Sequence, residues 1–218
     1  MPEHAVRSPT QARARRTRDR LIDATERLLQ QRRFEDVSVG DIVSEAGASV
    51  GSFYHLFESK EAIVPLVYAR YGERLDRDSQ AFLDPERWNG VSLLERSTRI
   101  IRVGVLLYRR NQGLMRTVAL HARSRSNAVT EEQHTQRATF YDRLADVFLA
   151  CRTEITHPDP DAAVRFGLFV VAATCRDKIL FADAPQARSL QLDDRALANE
   201  LARVFVSFLQ VPNPKERS

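Results

Sequence analysis

Apolar side chains recur every three or four residues over most of this sequence, which is the period of an α-helix. The pattern predicts long helices at about 17–33, 59–82, 92–110, 130–155, 161–181 and 194–211. A shorter helix should follow the Asn-Gln-Gly break at 111–113. Pro65, in the second turn of the 59–82 helix, is expected to remove one hydrogen bond and bend it. With only 8 Gly and 9 Pro, turn residues are scarce, and the sequence predicts an all-α protein.

Two short helix signals lie between the first and the second long helix. Ser38 is followed three residues later by Asp41, a spacing typical of a capping box, and Gly47 is typical of a helix end. Ser49 can cap a second short helix that runs to Leu56. Two short helices joined by a glycine-containing turn form a helix-turn-helix, although an ordinary helical corner has the same pattern.

Composition narrows the class of protein. Apolar residues make up 43% and charged residues 28%, which is typical of a soluble globular chain. The longest uncharged apolar run, 166–175, is shorter than the roughly 20 residues that cross a bilayer, and the basic N-terminus lacks the apolar stretch of a secretory signal. Two cysteines and five scattered histidines offer no disulfide framework or metal spacing. We therefore expect a cytoplasmic protein without a metal or a cofactor.

Arginine is unevenly distributed. Positions 7, 13, 15, 16, 18 and 20 are all arginine, opposed between His4 and Arg20 only by Asp19. Such a block fits either a solvated tail or a basic arm that binds nucleic acid. A second run, 96–130, holds eight arginines and no acid, but with 30 arginines and 3 lysines in the chain this cluster is weaker evidence.

The segment from Val37 to Glu61 resembles the DNA-binding signature of the TetR family of bacterial repressors. The matching features are Asp41-Ile42, Ala46-Gly47, Gly51-Ser52, Tyr54, Phe57 and Ser59-Lys60-Glu61, whereas Leu56 stands where the family often has His. The resemblance implies an all-α fold of about nine helices. It has a three-helix helix-turn-helix domain over 17–58 and a helical effector-binding and dimerisation domain over 59–211. A basic flexible arm, 1–16, and a disordered tail, 212–218, are expected to flank them.

In a helix-turn-helix the second helix enters the major groove with its N-terminal residues at the base edges. The candidates here are Val50, Gly51, Ser52 and His55 for bases and Ser49, Tyr54 and Lys60 for the phosphate backbone. Arg15 and Arg16 of the arm are candidates for the minor groove or the backbone. The alternatives are a solvated arm, a partly buried core aromatic for Tyr54, and a His55 side chain that meets only water.

The C-terminal two-thirds shows no phosphate loop, nucleophile elbow or paired carboxylates with a base between them, so we do not expect an enzyme. An apolar helical domain without such chemistry favours a ligand pocket or an interface, and the resemblance implies both. The effector-pocket candidates are Trp88, Arg102, Leu106, Tyr108, Met115, His121, Phe140, Phe148 and Phe169. The dimer-interface candidates on the last two long helices are Phe166, Val170, Ala173, Leu201, Phe205 and Phe208. Ordinary core packing is the alternative for each of them.

These observations together predict a DNA-binding transcriptional regulator. We expect a homodimeric repressor that binds a pseudo-palindromic operator and releases it when a small-molecule effector binds. The alternatives are a regulator without a small-molecule effector and a helical enzyme or ligand-binding protein that carries a DNA-binding-like head. Most arginines of the 96–130 run should face solvent, because an unpaired buried guanidinium is costly. One or two could bind an effector with an acidic head, in competition with an apolar or cationic aromatic compound.

Overall fold

The computed structural model describes residues 9–124 and 129–210, and every regular element in them is helical. The α-helices are α1 Pro9–Leu29, α2 Val39–Ala46, α3 Val50–Leu56, α4 Val64–Ser79, α5 Leu93–Arg110, α6 Gln112–Ser124, α7 Glu131–Leu149, α8 Pro160–Cys175, α9 Pro185–Ser189 and α10 Asp194–Leu209. The 3-10 turns are Phe34–Asp36, Lys60–Ile63, Pro85–Trp88 and Arg152–Glu154, and Arg176–Leu180 is a π-turn. The all-α prediction is confirmed. The predicted tail, 212–218, and Arg7 and Arg125 lie outside the described residues.

The chain divides into two compact units, 1–71 with 113–130, and 72–112 with 131–218. This division differs from the boundary between residues 58 and 59 that the sequence predicted. The first unit takes in the start of α4 and nearly all of α6, because both contribute to its packing. Periodicity identifies such helices but does not show which core they join.

The first unit contains the helix-turn-helix. Ile42 and Phe53 are completely buried, and they form its core with the apolar side of α1. The predicted capping box is present: the Asp41 amide donates to Ser38 Oγ over 3.0 Å, and the Ser38 amide donates to Asp41 Oδ2 over 2.8 Å. Gly47 ends α2 with φ of 58°, a left-handed conformation that favours glycine.

Helix α1 begins at Pro9, eight residues before the predicted start at Thr17. Arg15 and Arg16 therefore lie in a helix, and the prediction of a flexible arm is wrong for residues 9–16. The apolar period does not extend into this stretch, but alanine and arginine have high helix propensity and proline suits the first helical position. Residues 1–8 of the predicted arm lie outside the described residues.

Helix α4 also differs from its prediction. It begins at Val64, after the 3-10 turn, so Pro65 lies in the first turn, where a backbone N–H has no helical acceptor. The predicted position of Pro65 in the second turn is therefore wrong, and proline is tolerated in the first turn.

Phe205 and Phe148 form the centre of the second unit, with ring centroids 4.9 Å apart. A Cβ atom on Gly167 would lie 2.6 Å from the Phe205 ring, so α8 and α10 pack together closely only because residue 167 is glycine. Phe205 and Leu201 are both buried within their own protomer. The prediction that they form a dimer interface is therefore wrong, because α10 turns these side chains toward α8 and its other neighbours in the unit.

Arg96 is an exception to the expectation that the arginines of 96–130 face solvent, because it is buried. Its guanidinium donates to the main-chain carbonyls of Val147, Trp88 and Val91, the last two over 2.6 and 3.3 Å. Val147 lies in the last turn of α7, where carbonyls lack helical partners. Arg96 thereby joins α5, the end of α7 and the 85–91 segment.

Candidate nucleic-acid interface and ligand cleft

Helix α3 presents one exposed side because its opposite side is anchored by Phe53. Phe53 is completely buried, whereas Val50 is 48% and Tyr54 55% exposed, and Gly51 and His55 are also exposed. The Tyr54 ring meets the Phe53 ring edge-on at 5.5 Å, which fixes its base while the rest of the side chain faces solvent. The alternative of a buried core aromatic at Tyr54 is therefore wrong.

The start of α3 is held by two serines. Ser49 Oγ accepts from the Ser52 amide over 3.2 Å, and the two hydroxyls are 2.9 Å apart. Each hydroxyl combines one donor with two acceptor sites, so this pair retains hydrogen-bonding capacity toward a base edge or a phosphate. The cap thus fixes the orientation of the α3 N-terminus and keeps its first turn polar.

Lys60 has a structural role that the sequence did not reveal. Its ammonium donates to the carbonyls of Phe34 and Val37 over 2.9 and 2.8 Å and lies 4.4 Å from the centroid of the Phe34 ring. An ammonium has three donors, so one remains for a phosphate. The first role of Lys60 is to hold the segment that leads into α2.

Arginines of α1 and of the segment after it bind the helix-turn-helix. Arg20 donates to the Gly47 carbonyl over 3.3 Å, Arg27 pairs with Glu45 over 2.7 Å, and Arg32 lies 3.3 Å from Asp41. None of these contacts was predicted, since each joins positions further apart than the few residues that a helix cap or turn spans.

The Asp41 carboxylate shows the effect of these contacts. Hydrogen bonds from the Ser38 amide and hydroxyl and from Arg32 lower the pKa of Asp41 to about 2. The capping carboxylate therefore stays ionised over the whole physiological pH range.

Helical geometry places Arg15 and Arg16, the two arginines predicted to bind DNA, on different sides of α1. At 100° per residue, Arg13, Arg16 and Arg20 share one side of α1, while Arg15 lies on another. Arg20 contacts the turn between α2 and α3. Arg16 thus lies on the side of α1 that faces this turn, and both Arg15 and Arg16 are exposed.

The second unit contains a cleft of about 310 Å³. It is lined by Tyr108, Tyr141, Arg165, Leu168, Phe169, Ala172, Ala173 and Arg176. Tyr108 and Phe169 are the predicted pocket residues that line it. Sequence reasoning missed the two arginines because it sought polar anchors in the arginine-rich run of α5.

The other pocket candidates lie elsewhere, and these predictions are wrong for this cleft. Trp88 and Phe148 are buried in the core, with Trp88 Nε1 donating to the Phe82 carbonyl over 2.8 Å. Arg102 and Leu106 are exposed on α5. The remaining three are Met115 and His121, which belong to α6 in the first unit, and Phe140, which packs beside Tyr141.

Burial and charge distinguish the groups around the cleft. Burial, reinforced by Tyr141, raises the pKa of Tyr108 above its ordinary value, so this phenol stays neutral even in alkaline solution. Burial also raises the pKa of the Cys175 thiol to about 12. Arg165 forms an ion pair with Asp142. By contrast, Arg176 Nε is buried without a hydrogen-bond partner and lies 3.8 Å from the nearest oxygen of Asp177.

An exposed apolar surface runs along α8 and α10. Phe166 is 55%, Phe169 64% and Val204 57% exposed, and the Phe166 ring lies 5.4 Å from the Phe208 ring. Val170 and Ala173, which are half-buried, belong to the same side of α8. Unlike Leu201 and Phe205, the side chains of Phe166, Val170, Val204 and Phe208 remain available to a partner, whereas Phe169 and Ala173 also line the cleft.

The described residues contain no helix long and apolar enough to cross a membrane. Within the same ranges, histidine, cysteine, aspartate and glutamate side chains form no group of three or more that could hold a metal ion.

Residues 21–67 match the family model of bacterial regulatory proteins, tetR family. Two curated relatives, both uncharacterized HTH-type transcriptional regulators from strains of Mycobacterium tuberculosis, are 38% identical over 68 residues. The alignment covers 30% of this chain and 34% of each relative, so the chain spans about a third of the length of the curated relatives it matches.

Solved structures resemble the chain over most of its length. A TetR family transcriptional regulator from Agrobacterium tumefaciens superposes with a TM-score of 0.61 at 16% identity, over 91% of this chain and all of that one. The fatty acid degradation regulator FadR from Bacillus halodurans gives 0.59 at 13% identity, over 92% and 96% of the two chains. Salmonella enterica GusR gives 0.54 at 19% identity, over 94% and 98%. At these identities the likeness concerns the fold.

Proposed function

We propose that the chain is a DNA-binding transcriptional regulator of the tetR family of bacterial regulatory proteins, whose family model residues 21–67 match. The observation that supports this most directly is the exposed side of α3, polar at its capped start and fixed from behind by the buried Phe53. Such a helix fits the major groove, which admits a single α-helix. A regulator of this family acts by binding DNA rather than by catalysis. In this proposal the protein is located in the cytoplasm.

In this proposal α3 enters the major groove with its first turn at the base edges. Ser52 and His55 supply hydrogen-bonding groups, Val50 can contact a thymine methyl, and Gly51 permits close approach of the backbone. Ser49 and Tyr54 contact phosphates, and Lys60 adds its remaining donor. Arg16, on the side of α1 that faces the α2–α3 turn, extends the contact along the DNA backbone more effectively than Arg15.

A single head reads only a half-site, so specific binding requires two heads one helical turn or a simple multiple apart. The apolar surface of α8 and α10 supplies a place for a second copy of the chain, centred on Phe166, Val170 and Phe208. A repressor of this kind binds a pseudo-palindromic operator as a homodimer. A small molecule in the cleft lowers DNA affinity to the extent that it prefers the conformation that does not bind DNA.

The test is binding to DNA from upstream of the protein's own gene, measured by fluorescence anisotropy across a range of salt concentrations. Tyr54→Ala should weaken binding to all duplexes similarly, because a phosphate contact carries no sequence information. Arg16→Gln should lower the slope of log affinity against log salt by about 0.9 for each phosphate that a head no longer neutralises.

Arg15→Gln is the matched control, because it removes the same charge from another side of α1 and should change the slope less. If both variants and the parent protein had the same slope of log affinity against log salt, these arginines of α1 would not contact DNA. Failure of the parent protein to distinguish its upstream DNA from unrelated DNA would contradict the proposed function itself.

A further inference from the structure

We propose that the cleft beside α8 binds a compact aromatic carboxylate, with its acid group on Arg176 and its ring against Phe169. The inference rests on the proposed function in that such a ligand would be the effector of the regulator. It specifies a ligand class that the fold alone does not.

The shape of the cleft comes from α8. Six of the eight lining residues lie on this helix or directly after its end, at positions 165, 168, 169, 172, 173 and 176, which share one side of it. The short side chains of Ala172 and Ala173 leave space, and Tyr108 from α5 and Tyr141 from α7 bound it. A volume of about 310 Å³ is at the lower end of the range for small-molecule sites, and it fits a single ring better than a polycyclic compound.

The two arginines of the cleft differ in their partners. Arg165 is already neutralised by its ion pair with Asp142. Arg176 Nε is buried without an acceptor, because the Asp177 carboxylate is 3.8 Å away, beyond hydrogen-bond distance. An unpaired buried donor is unfavourable, and a carboxylate oxygen supplies the missing acceptor with a charge-assisted hydrogen bond. The Arg176 side chain as a whole is 40% exposed, although Nε itself is covered, so a ligand approaches Nε from the exposed part of this side chain.

The tyrosines favour the same class of ligand. Tyr108 is neutral at physiological pH, as an ordinary tyrosine is, and burial raises its pKa further, so it does not repel an anion. Arg137 is close enough for its positive charge to act on this phenol. The aromatic side chains of Phe169 and the two tyrosines offer faces and edges to a ring. The site thus combines positive charge at one end with an apolar and aromatic lining.

The experiment compares phenylacetate with phenylacetamide, which has the same shape without the charge, by isothermal titration of the full chain. Phenylacetate should bind at least about tenfold more tightly, the effect of one hydrogen bond to a charged group. Arg176→Gln should remove this preference, whereas Arg165→Gln should retain it. Ala172→Phe fills the cleft and should abolish binding of both compounds in a protein that still melts cooperatively.

Equal affinities for the acid and the amide would overturn the proposal, as would retention of the preference in Arg176→Gln. The proposal is also overturned if neither compound binds. That result would be expected if a second copy of the chain filled the cleft. DNA binding is measured on the same preparations. Acid binding without DNA binding would leave the cleft assignment standing and reject the regulator, and the reverse result would reject only the ligand class.

Discussion

Gly113 in the first turn of α6 packs against the end of α1 more closely than any other residue could. A Cβ atom there would lie 2.2 Å from the Leu29 carbonyl oxygen and 2.8 Å from that of Arg32. Both are backbone atoms, so no rotamer change relieves the clash. Since real Cβ contacts essentially never fall below 3.0 Å, Gly113→Ala must displace α6 from α1 by about 0.8 Å.

The expected cost follows from these distances. Overpacking costs about 1–3 kcal/mol, and a clash with two backbone oxygens belongs at the upper end. The higher helix propensity of alanine offsets at most about 1 kcal/mol, which leaves a net loss of about 2 kcal/mol. In a chain of this size that loss lowers the melting temperature by about 4–8 °C.

Gly104→Ala in the middle of α5 is the matched control, because no atom outside its own helix lies within 4 Å of the added Cβ. It should raise the stability by about 0.5–1 kcal/mol through helix propensity alone. Calorimetry and far-ultraviolet circular dichroism measure both variants. If Gly113→Ala melts at or above the temperature of the parent protein, the close packing of α6 on α1 is refuted.

Four further substitutions test other contacts. Arg96→Leu leaves buried carbonyls without donors and should lower the free energy of unfolding by about 3–5 kcal/mol, measured by urea unfolding with Trp88 fluorescence as the signal. A loss below about 1 kcal/mol would contradict the structural role of the buried Arg96. Because the pKa of Asp41 is lowered in the folded protein, its carboxylate stabilises the fold above about pH 4, and this contribution is lost as the pH falls toward 2. In Asp41→Asn the free energy of unfolding should therefore depend less on pH between these values. An unchanged pH dependence would contradict the capping role of Asp41. Phe205→Asp should unfold the second unit rather than yield folded monomers, which sedimentation with circular dichroism distinguishes. Lys60→Met should lower the melting temperature of DNA-free protein, and an effect on DNA binding alone would mean that its two carbonyl contacts are not made in solution.

The helix-turn-helix was predictable because its signals are local. Ser38 and Asp41 cap α2 across three residues, Gly47 ends it, and Ser49 caps α3. Each signal depends on backbone geometry within a few residues, so spacing alone carries the information.

The missed contacts join distant positions. Lys60 binds carbonyls 23 and 26 residues earlier, and Arg96 reaches Val147, 51 residues away. Backbone carbonyls accept these bonds, so no residue type at the acceptor position signals them.

Apolar periodicity also could not separate one interface from another. Phe166 on α8 and Phe205 on α10 are equally apolar, yet one is 55% exposed and the other 2%. The helical period shows that a side of a helix is apolar, but not whether it covers its own core, a ligand or a second protomer. For this reason only two of the residues that line the cleft, Tyr108 and Phe169, were predicted as pocket residues.

The hydrogen bonds of Arg96 have a consequence for genetic suppression. Its acceptors are main-chain carbonyls, which no codon change elsewhere can replace with another group. The ion pair of Arg165 with Asp142 joins two side chains, so exchanging both residues can restore it. In a selection for revertants, loss of Arg96 should be repaired by true reversion or by general stabilisers, whereas a defect at Arg165 can find a specific suppressor at position 142.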